Sequence, residues 1–252
     1  MQRTQLDLFS GIGGFALACR WLGIETIGFC EIEPFAQRVL RKNFPGTRIF
    51  EDVRKLQTDE LPRPWIITGG YPCQPFSQAG KRRGEEDDRH LWPAMFEIIR
   101  SSRPDWVLAE NVAGHVSMGL DEVLSDLESE DYTVQPIVIP ACAVDAPHRR
   151  DRVWIMAHSN GIGREGAFVK YGIFQETNKY CANFNNPIGI NGRKDGIRAT
   201  WKDNSAICRV ADGIPSRVDR LRGLGNAIVP QVAYEIIKAM IEADEKTNES
   251  IL

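Results

Sequence analysis

The sequence lacks long hydrophobic runs and closely spaced cysteine pairs, and each absence excludes a class of protein. No apolar run in the 252 residues approaches the roughly 20 residues that a membrane-spanning helix needs. Residues 1–5 are polar, so we expect no secretory signal peptide. The six cysteines include no C-x-x-C pair and no close histidine partner, which argues against a disulfide framework or a zinc site. We therefore expect a cytoplasmic protein without a bound metal.

The chain also lacks an excess of positive charge. Its net charge is −3 and its pI is near 5.9, so the chain as a whole is not a basic nucleic-acid binder. A hydrophobic content of 42% suits a soluble globular protein of one or two domains. Any contact with a nucleic acid must come from local basic patches, of which two stand out, Lys81–Arg83 and His148–Arg152.

The stretch Thr68–Ser77 joins the end of a predicted strand to a cysteine held between prolines. The apolar run Trp65–Ile67 predicts a short buried strand, and the two glycines after it allow a sharp turn close to a ligand. Pro72 and Pro75 restrict φ on both sides of Cys73. An open α/β sheet places its chemistry at the carboxyl ends of its strands, so a nucleophilic cysteine is predicted. A buried structural cysteine is the alternative.

A glycine-rich turn follows the first predicted strand, Thr4–Phe9, and precedes a predicted helix that begins at Phe15. Strand, turn and helix together are typical of a nucleotide-binding unit, although purely structural glycines would give the same pattern. Glu31 follows the second predicted strand, Ile24–Cys30. An acid at this point can bind a ribose diol, and a solvated carboxylate at a strand end is the alternative.

Polar side chains also follow or precede two later predicted strands. Glu110 follows Pro104–Ala109, on the same rim of the sheet as the cysteine, where burial can keep a carboxyl protonated. An ordinary cap or loop acid is the alternative. The arginines of His148–Arg152 precede the apolar strand Val153–Ala157, a position that suits ligand binding. Farther on, Gln231–Ala243 predicts an amphipathic helix with a frayed polar tail.

The order of these motifs along the chain resembles that of the C5-cytosine DNA methyltransferase family. The matching motifs are Asp7–Gly14, Glu31–Glu33, Pro72–Ser77 with Gly80–Arg82, Glu110–Val112, Arg150–Arg152 and Gly225–Ala227. The resemblance implies an α/β fold, namely an S-adenosylmethionine-dependent methyltransferase (Rossmann-like) sheet with helices on both faces. It also implies a catalytic and cofactor-binding domain at 1–158 and 213–252, and a small irregular target-recognition region at 159–212.

The activity implied by the resemblance is methyl transfer from S-adenosylmethionine to C5 of cytosine in DNA, through a covalent Cys–C6 adduct on a flipped-out base. Cys73 would be the nucleophile, Glu110 would handle the proton at N3, and Arg152 would grip the base. Arg150 matches the same motif and is expected among the catalytic residues, whereas His148 stands where the family usually has glutamine. The residues implied to contact DNA are Gln74, Ser77, Lys81, Arg82 and Arg83.

The resemblance further implies a pocket for S-adenosylmethionine. Glu31 would bind the ribose, Ile32 would pack on adenine, and Asp52 would accept a hydrogen bond from the adenine amino group. Ile32 is aliphatic where many members carry an aromatic residue. The full expected set is Phe9, Gly11, Gly13, Gly14, Glu31, Ile32, Asp52, Val53, Pro72, Leu91, Asn226 and Ala227.

The implied partners are double-stranded DNA and a companion restriction endonuclease acting on the same site, and we expect a monomer that does not bind membranes. Three alternatives stay open. An RNA cytosine-C5 methyltransferase would use the same chemistry. A nicotinamide-dependent dehydrogenase would share the glycine turn and Glu31, and a non-catalytic relic of the family would bind DNA without modifying it.

Overall fold

The seven strands of the described residues form one sheet in the computed structural model, which describes residues 2–72, 91–117, 119–146, 149–159 and 217–249. The strands within these ranges are β1 (Thr4–Leu8), β2 (Glu25–Cys30), β3 (Arg48–Phe50), β4 (Ile66–Gly69), β5 (Trp106–Val112), β6 (Tyr132–Pro140) and β7 (Asp151–Ser159). Their order across the sheet is β3-β2-β1-β4-β5-β7-β6. β1 to β5 run parallel, whereas β7 is antiparallel to both of its neighbours.

Helices cover both faces of this sheet, which confirms the predicted fold class. They are α1 (Gly14–Trp21), α2 (Pro34–Asn43), α3 (Trp92–Ser102), α4 (Leu120–Ser129), α5 (Arg217–Asn226) and α6 (Pro230–Glu249). α1 and α6 bury apolar side chains on one face, where Phe15 meets Trp154 edge-on at 5.9 Å between ring centroids. α3 and α4 bury Met95, Ile99 and Val123 on the other face. None of the helices in the described ranges is long and apolar enough to cross a membrane.

Two helices differ from what the sequence predicts. α5 was not predicted, because Gly223 and Gly225 lie within it and glycine is a poor helix former. α6 has the predicted buried face but continues to Glu249, beyond the predicted end at Ala243. The polar stretch after Ala243 contains neither glycine nor proline, so nothing in it stops the helix.

The two strands nearest the predicted site residues are also longer than predicted. β5 continues through Val112, so Glu110 lies within the strand rather than after it. β7 begins at Asp151, which makes Arg152 a strand residue paired with Val112. Because β7 runs against β5, its first residues lie at the carboxyl edge of the parallel strands, where β1, β2 and β4 also end.

Several predicted residues lie outside the described ranges. They are Cys73, Gln74, Ser77, Lys81, Arg82, Arg83 and His148, together with the target-recognition region 159–212 apart from Ser159. Their assigned roles stay predictions.

A buried polar cluster attaches α6 to the amino-terminal edge of the sheet. The carboxylate of Asp244 accepts a hydrogen bond from Trp65 Nε1 at 2.8 Å and another from Trp106 Nε1 at 3.1 Å. The ring of His158 packs at a tilt against that of Trp106, with centroids 4.3 Å apart, and its Nε2 lies 3.8 Å from Asp244 Oδ1. Since both tryptophans are buried, this one carboxylate satisfies two indole N–H groups that have little access to water.

We expect Asp244→Ala to lower the free energy of unfolding by about 2–4 kcal/mol, because it leaves two buried indole donors without their acceptor. Asp244→Asn keeps one side-chain oxygen and should lose roughly half as much. Urea denaturation would measure both changes. Glu242→Ala, an exposed acid on the same helix, is the matched control. A loss for Asp244→Ala no larger than that of the control would contradict the role of the cluster.

Candidate active site

A cleft of about 660 Å³ opens at the carboxyl edge of the sheet. The predicted site residues that line it are Phe9, Gly11, Glu31, Ile32, Asp52, Val53, Pro72, Leu91, Glu110, Arg152 and Asn226. The sequence interpretation missed other lining residues, among them Arg54, Tyr71 and Arg222. Gly13, Gly14, Ala227 and Arg150 were predicted for the site and do not line the cleft.

The glycine turn before α1 has left-handed backbone where it bends, with φ of 51° at Phe9, 52° at Gly11 and 86° at Gly13. A Cβ added at Gly13 would lie 2.8 Å from the ring of Phe44, and one at Gly14 would lie 2.6 Å from Ile228 Cγ1. These two glycines therefore allow close packing behind the turn. At Gly11 an added Cβ would have nothing within 4 Å, so the backbone there is open to the cleft.

The carboxylate of Glu31 joins the glycine turn to the start of α2. It is buried, and it accepts hydrogen bonds from Gly11 N at 2.6 Å and from Glu33 N at 2.7 Å. Gln37 Nε2 donates to the backbone oxygen of Glu31 at 2.7 Å. Each carboxylate oxygen can accept more than one hydrogen bond, so a ribose diol in the cleft would still find acceptors.

The residues beyond Glu31 offer one apolar and one anionic surface to the cleft. The side chain of Ile32 is 65% exposed, which is high for a large apolar residue in a concave site. Asp52 is held by a fork from Arg54, whose Nε and Nη2 each donate to a carboxylate oxygen at 3.0 Å. These hydrogen bonds lower the pKa of Asp52, so this residue is an ionised acceptor. The sequence did contain a signal for this contact, because Arg54 stands only two positions after Asp52.

Glu110 and Arg152 form an ion pair at the opposite end of the cleft, with 2.8 Å between Glu110 Oε1 and Arg152 Nε. Burial raises the pKa of Glu110, and the neighbouring guanidinium groups of Arg152 and Arg150 oppose that rise. Gly70 comes close to this carboxyl, since a Cβ there would lie 3.3 Å from Glu110 Oε2. The arrangement places a carboxyl that can hold a proton beside a fixed positive charge.

Arg150, whose catalytic role stays a prediction, contacts backbone oxygens next to the cleft. Its Nη2 donates to the backbone oxygens of Gly225 and Ala227, both at 2.7 Å. It thereby attaches the segment between α5 and α6 to the start of β7. Next to this segment, Arg222 reaches across to α2 and pairs with Glu33 at 2.9 Å. The contacts of Arg150 support a positioning role for it.

The raised pKa of Glu110 predicts a component of stability that depends on pH. The folded protein holds this proton more tightly than the unfolded chain, where the ordinary value is 4.5. This contribution is therefore complete below about pH 4.5 and is lost as the pH rises through the folded-state pKa. The side chain of the Glu110→Gln variant carries no charge at any pH, so this variant should not lose that part of its stability as the pH rises. Urea denaturation from about pH 4 to 8 would test it, and parallel pH profiles for the two proteins would contradict the expectation.

Comparison with known proteins gives a consistent match. Residues 4–194 match the family described as C-5 cytosine-specific DNA methylase. The type II methyltransferase M2.BsuMI of Bacillus subtilis is 38% identical over 164 residues, which are 60% of this chain and 41% of that protein. The type II methyltransferase M.HhaI of Haemophilus parahaemolyticus is 33% identical over 162 residues, 62% of this chain and 49% of that protein. The chain thus spans half or less of the length of these relatives.

Solved structures show the same fold. A crystal structure of Spodoptera frugiperda DNMT2 superimposes with a TM-score of 0.56 at 25% identity, over 64% of this chain and 51% of that chain. A putative DNA modification methyltransferase encoded within an E. coli prophage gives a TM-score of 0.54 at 27% identity, over 63% of this chain and 47% of that chain.

Proposed function

Since the chain belongs to the C-5 cytosine-specific DNA methylase family, we propose that it methylates C5 of cytosine in DNA with S-adenosylmethionine as the methyl donor. The observation that carries the proposal is the ion pair between the buried Glu110 and the partly buried Arg152. This pair lies beside Gly70, three residues before Cys73 in the sequence.

The chemistry requires a nucleophile and an acid that act on the same ring. C5 of cytosine is a poor nucleophile until a thiolate adds to C6 and makes C5 an enamine carbon, and Cys73 is the proposed thiolate. Addition pushes electron density onto N3, where Glu110 donates or shares its proton. Arg152 binds O2 of the base and offsets the developing negative charge. After C5 is methylated, loss of the C5 proton to a base expels the Cys73 thiolate.

The residues of the cleft fit the proposed cofactor. Glu31 offers buried carboxylate oxygens to a ribose, and Ile32 offers an exposed apolar surface to adenine. Asp52 is an ionised acceptor for the adenine amino group, and the open backbone at Gly11 leaves room for close approach. When bound, S-adenosylmethionine supplies a methyl group on a sulfonium, which is electrophilic. The chain's own contribution is to place that group beside the base.

Access to the base is the other requirement. A cytosine stacked in a duplex cannot reach a cleft at the edge of a sheet, so the base must be flipped out. We assign contacts with the DNA to Gln74, Ser77 and Lys81–Arg83. The type II designation of the relatives supports the expectation of a companion restriction endonuclease that acts on the same site.

Covalent capture tests the proposed reaction. Fluorine at C5 cannot leave as a cation, so the thioether between Cys73 and C6 should persist after methyl transfer. Duplex DNA with 5-fluorocytosine at the target, incubated with the protein and S-adenosylmethionine, should give a protein–DNA band that resists denaturation. Cys73→Ser should abolish this band, because a hydroxyl is far less ionised than a thiol near neutral pH.

The matched control for capture is Cys142→Ser, which removes a partly buried cysteine and should leave the band intact. A band that survives Cys73→Ser would rule out this nucleophile. Capture of an equivalent RNA in preference to the duplex would assign the chain to RNA. No capture of either nucleic acid would favour the non-catalytic relic.

Glu31→Ala should weaken binding of S-adenosylmethionine by about 1.5–3 kcal/mol, the scale of a hydrogen bond to a charged group. Isothermal titration calorimetry would measure the change. Glu25→Ala, at the other end of β2 and exposed, is the matched control and should bind the cofactor as the parent protein does. Equal affinity in the Glu31→Ala variant and this control would disprove the ribose assignment.

A further inference from the structure

Side-chain contacts continue the link between β4 and β5 beyond the end of their backbone ladder. The last ladder pair joins Gly69 to Ala109. Two residues farther along, Asn111 Nδ2 donates to the backbone oxygen of Tyr71 at 3.1 Å. The hydroxyl of Tyr71 then lies 2.8 Å from His115 Nε2. Tyr71 is thus held through both its backbone and its side chain by the segment that follows Glu110.

The same tyrosine connects the residues that come just before and just after segment 73–90. Its ring packs on that of Trp92, the first residue of α3, with centroids 5.2 Å apart. Trp92 is fixed in turn by a hydrogen bond from its Nε1 to Asp126 on α4, at 2.8 Å. The ring of His115 meets that of Tyr71 edge-on, with ring centroids 5.4 Å apart. The chain therefore enters and leaves the segment that carries Cys73 at one packed cluster of aromatic side chains.

Packing alone does not account for the polar atoms in this cluster. Tyr71 and His115 are both buried, and burial lowers the pKa of His115, so its ring is neutral near pH 7. A buried hydroxyl and a buried ring nitrogen each cost stability unless they find a partner. A phenylalanine would pack on Trp92 equally well. What the hydroxyl adds is a directional bond that fixes where the ring lies.

We propose that the hydrogen bond between Tyr71 and His115 is a positioning contact, which fixes Pro72, the residue before Cys73, relative to Glu110. The inference rests on the proposed function, because it gives the contact a role in that reaction. The thiolate must reach C6 while Glu110 reaches N3, and these atoms belong to one ring. A catalytic group that is misplaced by about 1 Å can lose most of its effect. Tyr71 and His115 act through Cys73 and Glu110 and do not touch the substrate.

Three single variants and one double variant test the role. Tyr71→Phe removes only the hydroxyl and keeps the ring on Trp92. His115→Leu removes the ring nitrogens, whereas His115→Gln keeps a polar group near the position of Nε2. The double variant Tyr71→Phe/His115→Leu replaces both partners of this hydrogen bond with apolar groups.

The first measurement is single-turnover methylation of duplex DNA, with the affinity for S-adenosylmethionine followed by calorimetry. We expect Tyr71→Phe and His115→Leu each to slow methylation by about three- to tenfold with unchanged cofactor affinity. His115→Gln should recover most of the rate. The double variant should be no slower than either single variant, because each single change already breaks the same hydrogen bond. A purely structural role would lower the melting temperature and leave the rate per folded molecule unchanged.

The second measurement does not depend on activity. Amide hydrogen exchange in residues 66–72 and 110–115 should be faster in Tyr71→Phe than in the parent protein, at a temperature where both are folded. Unchanged exchange, or faster exchange with an unchanged methylation rate in an active protein, overturns the proposal. If the parent protein modifies neither DNA nor RNA while exchange responds as expected, the anchoring contact stands and the proposed function fails.

Discussion

The antiparallel direction of β7 is the constraint on which the candidate site depends. In a sheet of parallel strands all carboxyl ends meet at one edge, and the amino ends lie at the other. Because β7 runs against β5, its first residues reach the carboxyl edge, and the pairing of Val112 with Arg152 places the guanidinium within 2.8 Å of Glu110. One reversed strand thus brings a positive charge beside Glu110 at the carboxyl edge.

The cleft has two ends that the fold builds by different means. At the end that we propose for the cofactor, backbone amides and a short turn fix the site, since Glu31 accepts hydrogen bonds from Gly11 and Glu33. At the other end, two charged side chains lie on strands, Glu110 on β5 and Arg152 on β7. Sites on strands hold their groups more precisely than sites on loops. This division suits the proposed reaction, in which the base must be held firmly.

Much of the fold was predictable from the sequence, because alternating apolar runs and glycine turns report local structure directly. Glu31 could be placed at the end of a strand, and it lines the cleft. Glu110 was expected after β5 and lies within that strand, but it lines the cleft as well. What could not be predicted were contacts between segments distant in sequence. The bond of Arg150 to Gly225 and the pairing of Tyr71 with His115 depend on tertiary packing. α5 was not predicted because it contains two glycines, which disfavour a helix when the sequence alone is considered.

The cluster around Asp244 has a consequence for the order in which the chain can fold. Asp244 lies 179 residues after Trp65 and 138 after Trp106, so α6 docks only when nearly all of the sheet has been synthesised. Until then the sheet face that α6 covers, including Trp154 and Met156, is left without its largest cover. Contacts this distant in sequence form slowly, since a long loop must close first. On the ribosome, the nascent sheet would therefore expose an apolar face that chaperones can bind until α6 emerges.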